Sequence, residues 1–118
     1  MNKEATAKVY TLYTESGSWL GQVVLTTDGS FMSITDYGNF SYCWVCTGEE
    51  DFRKFILKLN VEYFATKMFC GMCYVVSTNK IKEVATTFAE KILPALQDVL
   101  KKEIESEKQI ILWKAGEH

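Results

Sequence analysis

The alternation of apolar and polar residues in the first part of the chain predicts a β-sheet. Residues that favour strands, β-branched and aromatic, are concentrated in four segments. These are residues 9–14, 20–27, 31–37 and 40–45. Turn-forming residues separate them, and Asp28-Gly29 is typical of a type I′ hairpin turn. Connections this short join antiparallel neighbours, so the sequence predicts an antiparallel meander.

The hydrophobic period then changes to that of helices. Thr47 and Glu50 have the spacing of a capping box, with Thr47 as the N-cap. Apolar residues follow at helical spacing over 52–59. We expect Asn60 to end this helix and to cap a second one over 61–69, whose inner face carries Phe64 and Met68. The segment 70–73, Cys-Gly-Met-Cys, is predicted to interrupt the helix, and 74–76 is either a short extended piece or a connector.

A long helical pattern begins at 77–79 and continues to Ile104. It passes through Pro94 without a change of phase, which indicates a kinked continuous helix or two abutting helices. The apolar stripe exceeds what one sheet needs as a cover, so a homodimer is a further hypothesis. Residues 109–113 return as a final strand or form an apolar tail.

The fold class predicted is therefore α+β, in one domain over residues 1–118. An N-terminal antiparallel β-meander of about four strands packs against C-terminal helices, one of them long. The hydrophobic content of 47% suits a packed domain. The net charge of −2 argues against a strongly cationic nucleic-acid module. No apolar run is long enough to span a membrane and the N-terminus does not look like a signal peptide, so we expect a cytoplasmic protein.

Four cysteines occur as two C-x-x-C pairs, Cys43 with Cys46 and Cys70 with Cys73. This count and spacing are compatible with a structural zinc site. Because side chains alternate along a strand, Cys43 and Cys46 diverge unless the strand ends in a knuckle. Buried reduced thiols are the favoured interpretation, since free cysteine behaves as a small hydrophobe. A redox pair is the third alternative.

Catalytic chemistry has few candidates in this sequence. The only histidine is His118, the last residue, which disfavours mechanisms that need a well-held imidazole. The sequence has no Gly-rich phosphate loop, H-E-x-x-H motif or EF-hand loop. We therefore expect no catalytic residues, no cofactor and no enzymatic activity.

Aromatic residues near turns are the candidates for binding. Most aromatic residues are expected in the core, but residues carried by turns tend to be exposed, and exposed aromatics anchor interfaces. The predicted contact residues are Trp19, Tyr37, Asn39 and Phe40. Stacking of these rings on single-stranded nucleic acid is the less favoured alternative because the chain is slightly acidic.

Three stretches resemble small uncharacterised proteins of phages and prophages. They lie at 36–44, 51–55 and 61–68, and consist of an aromatic turn and strand, a helix with two Phe residues, and a Tyr-Phe segment that carries Lys67. The resemblance covers about residues 30–68 and does not include paired cysteines. It implies a protein that binds and blocks a host factor, including a defence system. The leading hypothesis is a non-enzymatic binding protein of this phage type that blocks a host factor or sequesters a small molecule. The alternative hypothesis is a zinc-stabilised nucleic-acid-binding module that uses Cys43, Cys46, Cys70 and Cys73.

Overall fold

The computed structural model describes residues 4–72 and 79–116, which form a four-stranded sheet followed by three helices. The strands are β1 (Ala7–Tyr13), β2 (Trp19–Thr26), β3 (Ser30–Thr35) and β4 (Ser41–Cys43). The helices are α1 (Phe52–Leu57), α2 (Val61–Met72) and α3 (Asn79–Gly116). The predicted α+β fold, with its N-terminal sheet and long C-terminal helix, is confirmed.

The sheet is the predicted meander, in the order β1-β2-β3-β4 with every neighbouring pair antiparallel. The pairing of β1 with β2 contains one irregularity: Leu12 pairs with Gly21, whereas the next residue, Tyr13, pairs with Trp19. Leu20 is therefore an extra residue, as in a β-bulge. Because of this bulge, Leu20 is buried while Trp19 is exposed on the opposite face.

The three hairpin turns share one sequence pattern, Thr-x-x-Gly, at 14–17, 26–29 and 35–38. In each turn the glycine amide donates to the threonine carbonyl, and the glycine has positive φ. Only glycines have positive φ in the described chain, so Asp28 does not. The predicted type I′ turn at Asp28-Gly29 is therefore wrong, because that type requires positive φ at both central residues.

An aromatic cluster between the sheet and the helices forms the centre of the core. Phe31 of β3, Phe64 of α2 and Phe88 of α3 are fully buried. The ring of Phe31 meets that of Phe64 edge to face, with centroids 5.2 Å apart, and the Phe64 and Phe88 rings stack at 6.2 Å. Since each ring comes from a different element, this cluster fixes how the helices lie on the sheet.

Two helix N-caps were predicted, and one is wrong. Asp51, not Thr47, caps α1, because the Asp51 carboxylate accepts from the Arg53 amide at 3.0 Å. The Thr47 hydroxyl accepts instead from the Glu49 amide. The cap of α2 is confirmed, since Asn60 Oδ1 accepts from the Tyr63 amide at 2.8 Å. The buried side of α2 includes Phe64 and Met68, as predicted.

The predicted break at Cys70 is also wrong, because α2 continues through Gly71 to Met72. A Cβ at Gly71 would overlap the carbonyl oxygen of Ser41, so glycine lets α2 lie directly against β4. Cys73 and the ambiguous segment 74–76 lie outside the described residues.

The third helix is continuous from Asn79 to Gly116 and contains Pro94 in its interior. Of the two predicted alternatives, two abutting helices are excluded and one continuous helix is formed, while the kink at Pro94 stays a prediction. Gln97 fastens it to α1, because its side-chain amide donates to the carbonyls of Ile56 and Leu59. The strand suggested for 109–113 is not formed, since these residues belong to α3.

Candidate interaction surface

The sheet has an outer face that none of the three described helices covers. The registers of the strands place alternate residues of all four strands on this face. We call these residues the outer face: Ala7, Val9, Thr11, Tyr13, Trp19, Gln22, Val24, Thr26, Ser30, Met32, Ile34, Ser41 and Cys43.

None of the outer-face residues is charged, although charged residues make up 24% of the chain. Several are large apolar side chains in contact with solvent: Ile34 is 63% exposed and Val9 60%. Met32 and Tyr13 are exposed as well. An antiparallel sheet with one solvated face ordinarily carries polar residues there. The outer face lacks charged residues, and charged residues are likewise depleted at the centres of protein interfaces.

Trp19 is the one predicted contact residue that the structure places on the outer face. It is 42% exposed and is the register partner of Tyr13. The two aromatic side chains therefore lie side by side at one end of the face. Tyrosine and tryptophan are enriched among the residues that dominate binding energy.

The other three predicted contact residues lie elsewhere. Phe40 is buried, with its ring centroid 4.5 Å from that of Phe88, so the prediction that it is exposed is wrong. Its backbone is fixed by Ser33, whose hydroxyl accepts from the Phe40 amide. Tyr37 is half-buried against the core. Asn39 is exposed, and its side chain accepts from the Thr35 amide, which braces the turn.

Sequence reasoning missed the apolar residues around Trp19. The predicted contact residues lie near turns, and the apolar residues within the strands are not among them. The available signal was that both alternations in β1 and β3 are apolar: Val9 and Tyr13 against Leu12, and Met32 and Ile34 against Phe31. A strand that is apolar on both sides is typical of a sheet that is covered twice.

A second feature is a cluster of charged groups where β1, α1 and α3 meet. Arg53 donates to three carboxylates: Asp51 at 2.8 Å, Glu103 at 2.5 Å and Glu107 at 2.8 Å. Tyr10 also donates its hydroxyl to Glu103, at 2.8 Å. The guanidinium thus links the start of α1 to the last part of α3 that touches the body of the protein.

These contacts shift the pKa values of the cluster in the directions that stabilise the charged pairs. Hydrogen bonds from Arg53 lower the pKa of Asp51 and of Glu107. Burial acts to raise the pKa of Glu103, but the bonds from Arg53 and Tyr10 outweigh it and the pKa is lowered. Burial and the bond to Glu103 raise the pKa of the Tyr10 hydroxyl. The cluster therefore joins β1, α1 and α3 through charged groups that already satisfy one another's hydrogen bonds.

A cavity of about 370 Å³ adjoins this cluster. Its walls come from the first residues of β1, the end of β2 and the start of α1, and include Ala7, Leu25 and Phe52. Its volume is within the range of small-molecule sites, about 300–1,000 Å³. Two of the charged residues that line it, Arg53 and Asp51, are hydrogen-bonded to each other.

The cysteines do not follow the favoured prediction of buried thiols. Cys43, Cys46 and Cys70 are all exposed, so the prediction is wrong for these three. Cys73 lies outside the described residues, so the predicted four-cysteine zinc site stays a prediction. Within residues 4–72 and 79–116, no group of three or more His, Cys, Asp or Glu residues is placed to hold a metal ion.

Comparison with known proteins identifies the family. The fold described above is of the α+β class: an antiparallel meander covered on one face by helices. A family model described as a phage family matches residues 1–86, which is more than half of the chain. The chain therefore belongs to this phage family, in agreement with the resemblance found in its sequence. No curated protein and no solved structure matches it. No helix in the described part of the chain is long and apolar enough to cross a membrane.

Proposed function

We propose that this phage-family protein is a non-enzymatic binding protein that blocks a host factor by docking its outer face on it. The observation that supports the proposal is the uncharged, apolar outer face, with Val9, Met32 and Ile34 exposed. Soluble monomers rarely expose a large contiguous apolar patch unless it has a partner. The partner that fits is a protein whose contact surface is itself apolar and without charge at its centre.

The size of the face suits such a contact. Four strands at a spacing of about 4.8 Å, each rising about 3.3 Å per residue, give a surface of about 20 by 20 Å. That plan area of about 400 Å² is enough for the central part of one side of a standard interface, which buries about 800 Å² of accessible surface. Tyr13 and Trp19 supply aromatic anchors at one end of it, while Thr11 and Gln22 supply hydrogen-bonding groups near its middle.

Binding without turnover agrees with the residues of the chain. The sequence has a single histidine, His118, and the polar cluster around Arg53 is a set of mutually satisfied ion pairs. Sequestration of a small molecule, the other form of binding considered, has the cavity beside that cluster as its candidate site. We favour the outer face because its apolar groups lack a partner within the described chain, whereas the cluster's polar groups have theirs.

The test is affinity capture from host lysate followed by mass spectrometry, using the wild type, Ile34→Lys and Val45→Lys. Ile34→Lys places a charge on the outer face, beside Gln22. Val45 is 92% exposed and is not an outer-face residue, so Val45→Lys is the matched control. We expect one stoichiometric host protein with the wild type and the control, and at least a tenfold loss with Ile34→Lys, because a buried unpaired charge is costly.

The blocking role is tested on the captured protein. Its own activity is measured with purified components, and we expect inhibition by the wild type and by Val45→Lys but not by Ile34→Lys. The free energy of unfolding of both variants is expected to lie within about 0.5 kcal/mol of that of the wild type, as is usual for surface substitutions. Equal recovery with all three chains, or no stoichiometric host protein at all, would contradict the proposal.

A further inference from the structure

The cavity beside the Arg53 cluster is lined by large apolar side chains that the fold already holds in place. Tyr10 of β1, Leu25 of β2 and Phe52 of α1 line it, and all three are buried. The Tyr10 hydroxyl is fixed by its hydrogen bond to Glu103. These walls border a space of about 370 Å³. They therefore form a ready-made pocket for the apolar part of a small molecule.

One charged residue of the cavity, Glu50, differs from the others. Lys8, Asp51 and Arg53 also line the cavity, and each of them is in an ion pair. Glu50 is exposed, and its carboxylate has no hydrogen bond or ion pair within the described residues. A carboxylate in this position can accept hydrogen bonds from a bound molecule, and charged donors make the strongest ones.

The balance of charge around the cavity favours a cation as the ligand. Lys8 and Arg53 are the two cations among the lining residues, and both pair with the carboxylates of the Arg53 cluster. That cluster supplies three carboxylates, which are ionised at neutral pH, and Glu50 supplies a fourth. Lys54, the next cation along α1, does not line the cavity. A bound anion would meet this excess of negative charge, whereas a bound cation offsets part of it.

We infer that the cavity binds a small organic cation, a protonated amine attached to an aromatic or aliphatic group. The apolar group lies against Leu25 and Phe52, and the ammonium donates hydrogen bonds to the Glu50 carboxylate. Burial of the apolar group supplies most of the affinity. The ammonium–carboxylate pair selects amines over alcohols and acids of the same shape. This site is additional to the outer face and does not depend on the proposed host factor.

The test uses tryptamine as the probe, with two matched compounds. Tryptophol and indole-3-acetate carry the same ring, with a hydroxyl or a carboxylate in place of the ammonium. Binding is followed by titration of the ¹⁵N-labelled full chain in amide NMR spectra. We expect saturable shifts at the amides of Thr27 and Phe52, which line the cavity. A ligand of this size is expected to have a dissociation constant of about one millimolar.

The order of the three compounds tests the charge argument. Tryptophol is expected to bind about threefold more weakly than tryptamine, or weaker still, because it lacks the ion pair with a partly solvated carboxylate. Indole-3-acetate is expected to bind more weakly than tryptophol, since its charge has the same sign as the excess around the cavity. Equal affinities for all three compounds, or the strongest binding by indole-3-acetate, would contradict the inference.

Glu50→Gln tests the assigned carboxylate directly. The side chain keeps its shape and loses its charge, so the variant is expected to bind tryptamine and tryptophol equally and to keep the wild-type affinity for tryptophol. Glu105→Gln removes an exposed carboxylate of α3 that does not line the cavity, and it is the matched control. The control is expected to bind all three compounds as the wild type does. Because both glutamates are exposed, both variants are expected to fold like the wild type.

The outer-face variant Ile34→Lys separates this inference from the proposed function. We expect it to bind tryptamine like the wild type although it loses the host protein, and Glu50→Gln to keep the host protein although it loses the preference for the amine. Either proposal can thus fail while the other holds. No saturable shifts with tryptamine, or shifts that disappear in Ile34→Lys and persist unchanged in Glu50→Gln, would overturn the inference.

Discussion

The two faces of the sheet are made by the same strands but differ in what covers them. Leu12, Val23 and Phe31 point inward and are fully buried under the helices. Their neighbours in the same strands point outward, and Met32 and Ile34 remain exposed although they are as apolar. The inner face therefore shows how this chain folds, and the outer face shows what it leaves for another molecule. Hydrophobic content alone does not distinguish these two uses.

The largest expected effect comes from adjacent residues on opposite faces. Phe31→Ala removes a fully buried ring that contacts Phe64 and Phe88, and we expect a loss of about 3–5 kcal/mol in the free energy of unfolding. Met32→Ala alters the outer face only and is expected to cost less than about 1 kcal/mol. Urea denaturation of both variants measures the difference. Equal losses would mean that the outer face is packed within the chain itself.

The next effect compares two turn glycines with similar backbone angles. Gly29 has φ of +94° and Gly17 of +89°. A Cβ at Gly29 would overlap the carbonyl oxygen of Trp44, whereas a Cβ at Gly17 meets nothing within 4 Å. We expect Gly29→Ala to cost about 2–4 kcal/mol, from backbone strain and overpacking together, and Gly17→Ala about 1–2 kcal/mol, from strain alone.

Thermal unfolding followed by circular dichroism ranks these two glycine variants. If Gly17→Ala proved as costly as Gly29→Ala, the close approach of the Gly29 turn to Trp44 would have no energetic importance. Only the Gly29 turn has a neighbouring group that an added Cβ would displace. The comparison therefore measures what that close contact costs when it is overfilled.

The third effect concerns the ion pairs of Arg53, which lie at the edge of the side of the sheet that the helices cover. Arg53→Met leaves the carboxylates of Asp51, Glu103 and Glu107 close together without their cation, and we expect a loss of about 1–3 kcal/mol at neutral pH. Lys58→Met removes an exposed pair with Glu49 and is the control, with an expected cost below about 1 kcal/mol.

The pH dependence of the free energy of unfolding tests whether the cost of Arg53→Met comes from the lost ion pairs. The pKa values of the three carboxyl groups are lowered in the folded protein. Their contribution to stability is therefore complete above the ordinary carboxyl pKa of about 4 and is lost as the pH falls through the lowered values. Urea denaturation at a series of pH values is expected to show the gap between the wild type and Arg53→Met narrowing below about pH 4. A gap that stays constant down to pH 2 would assign the loss to packing of the arginine stem.

The strands and helices were predictable because their signals are local. The spacing of Phe64 and Met68 identified the buried side of α2. The start of α1 was not predictable in this way, because Thr47 and Asp51 are both good N-cap residues. Which of them caps the helix depends on Phe52 reaching the core. The burial of Phe40 depends on Phe88, which comes from a distant part of the chain.

The candidate site was predictable only at Trp19. Alternation along a strand tells which residues share a face, but not which of the two faces the helices cover. The Arg53 cluster joins Tyr10, Arg53 and Glu103, residues that are far apart in sequence, so no local pattern reveals it. Such contacts follow from the packing of elements and are visible only once the fold is known.

The meander is complete at Cys43, and each of its strands pairs with the next along the chain. The middle of α3, where Leu93, Leu96 and Leu100 are buried, is synthesised much later. Because a chain leaves the ribosome from its N-terminus, the inner face of the nascent sheet is only partly covered until that helix emerges. Products that terminate early therefore expose part of the inner face as well as the outer face, and chaperones will engage them more strongly than they engage the finished protein.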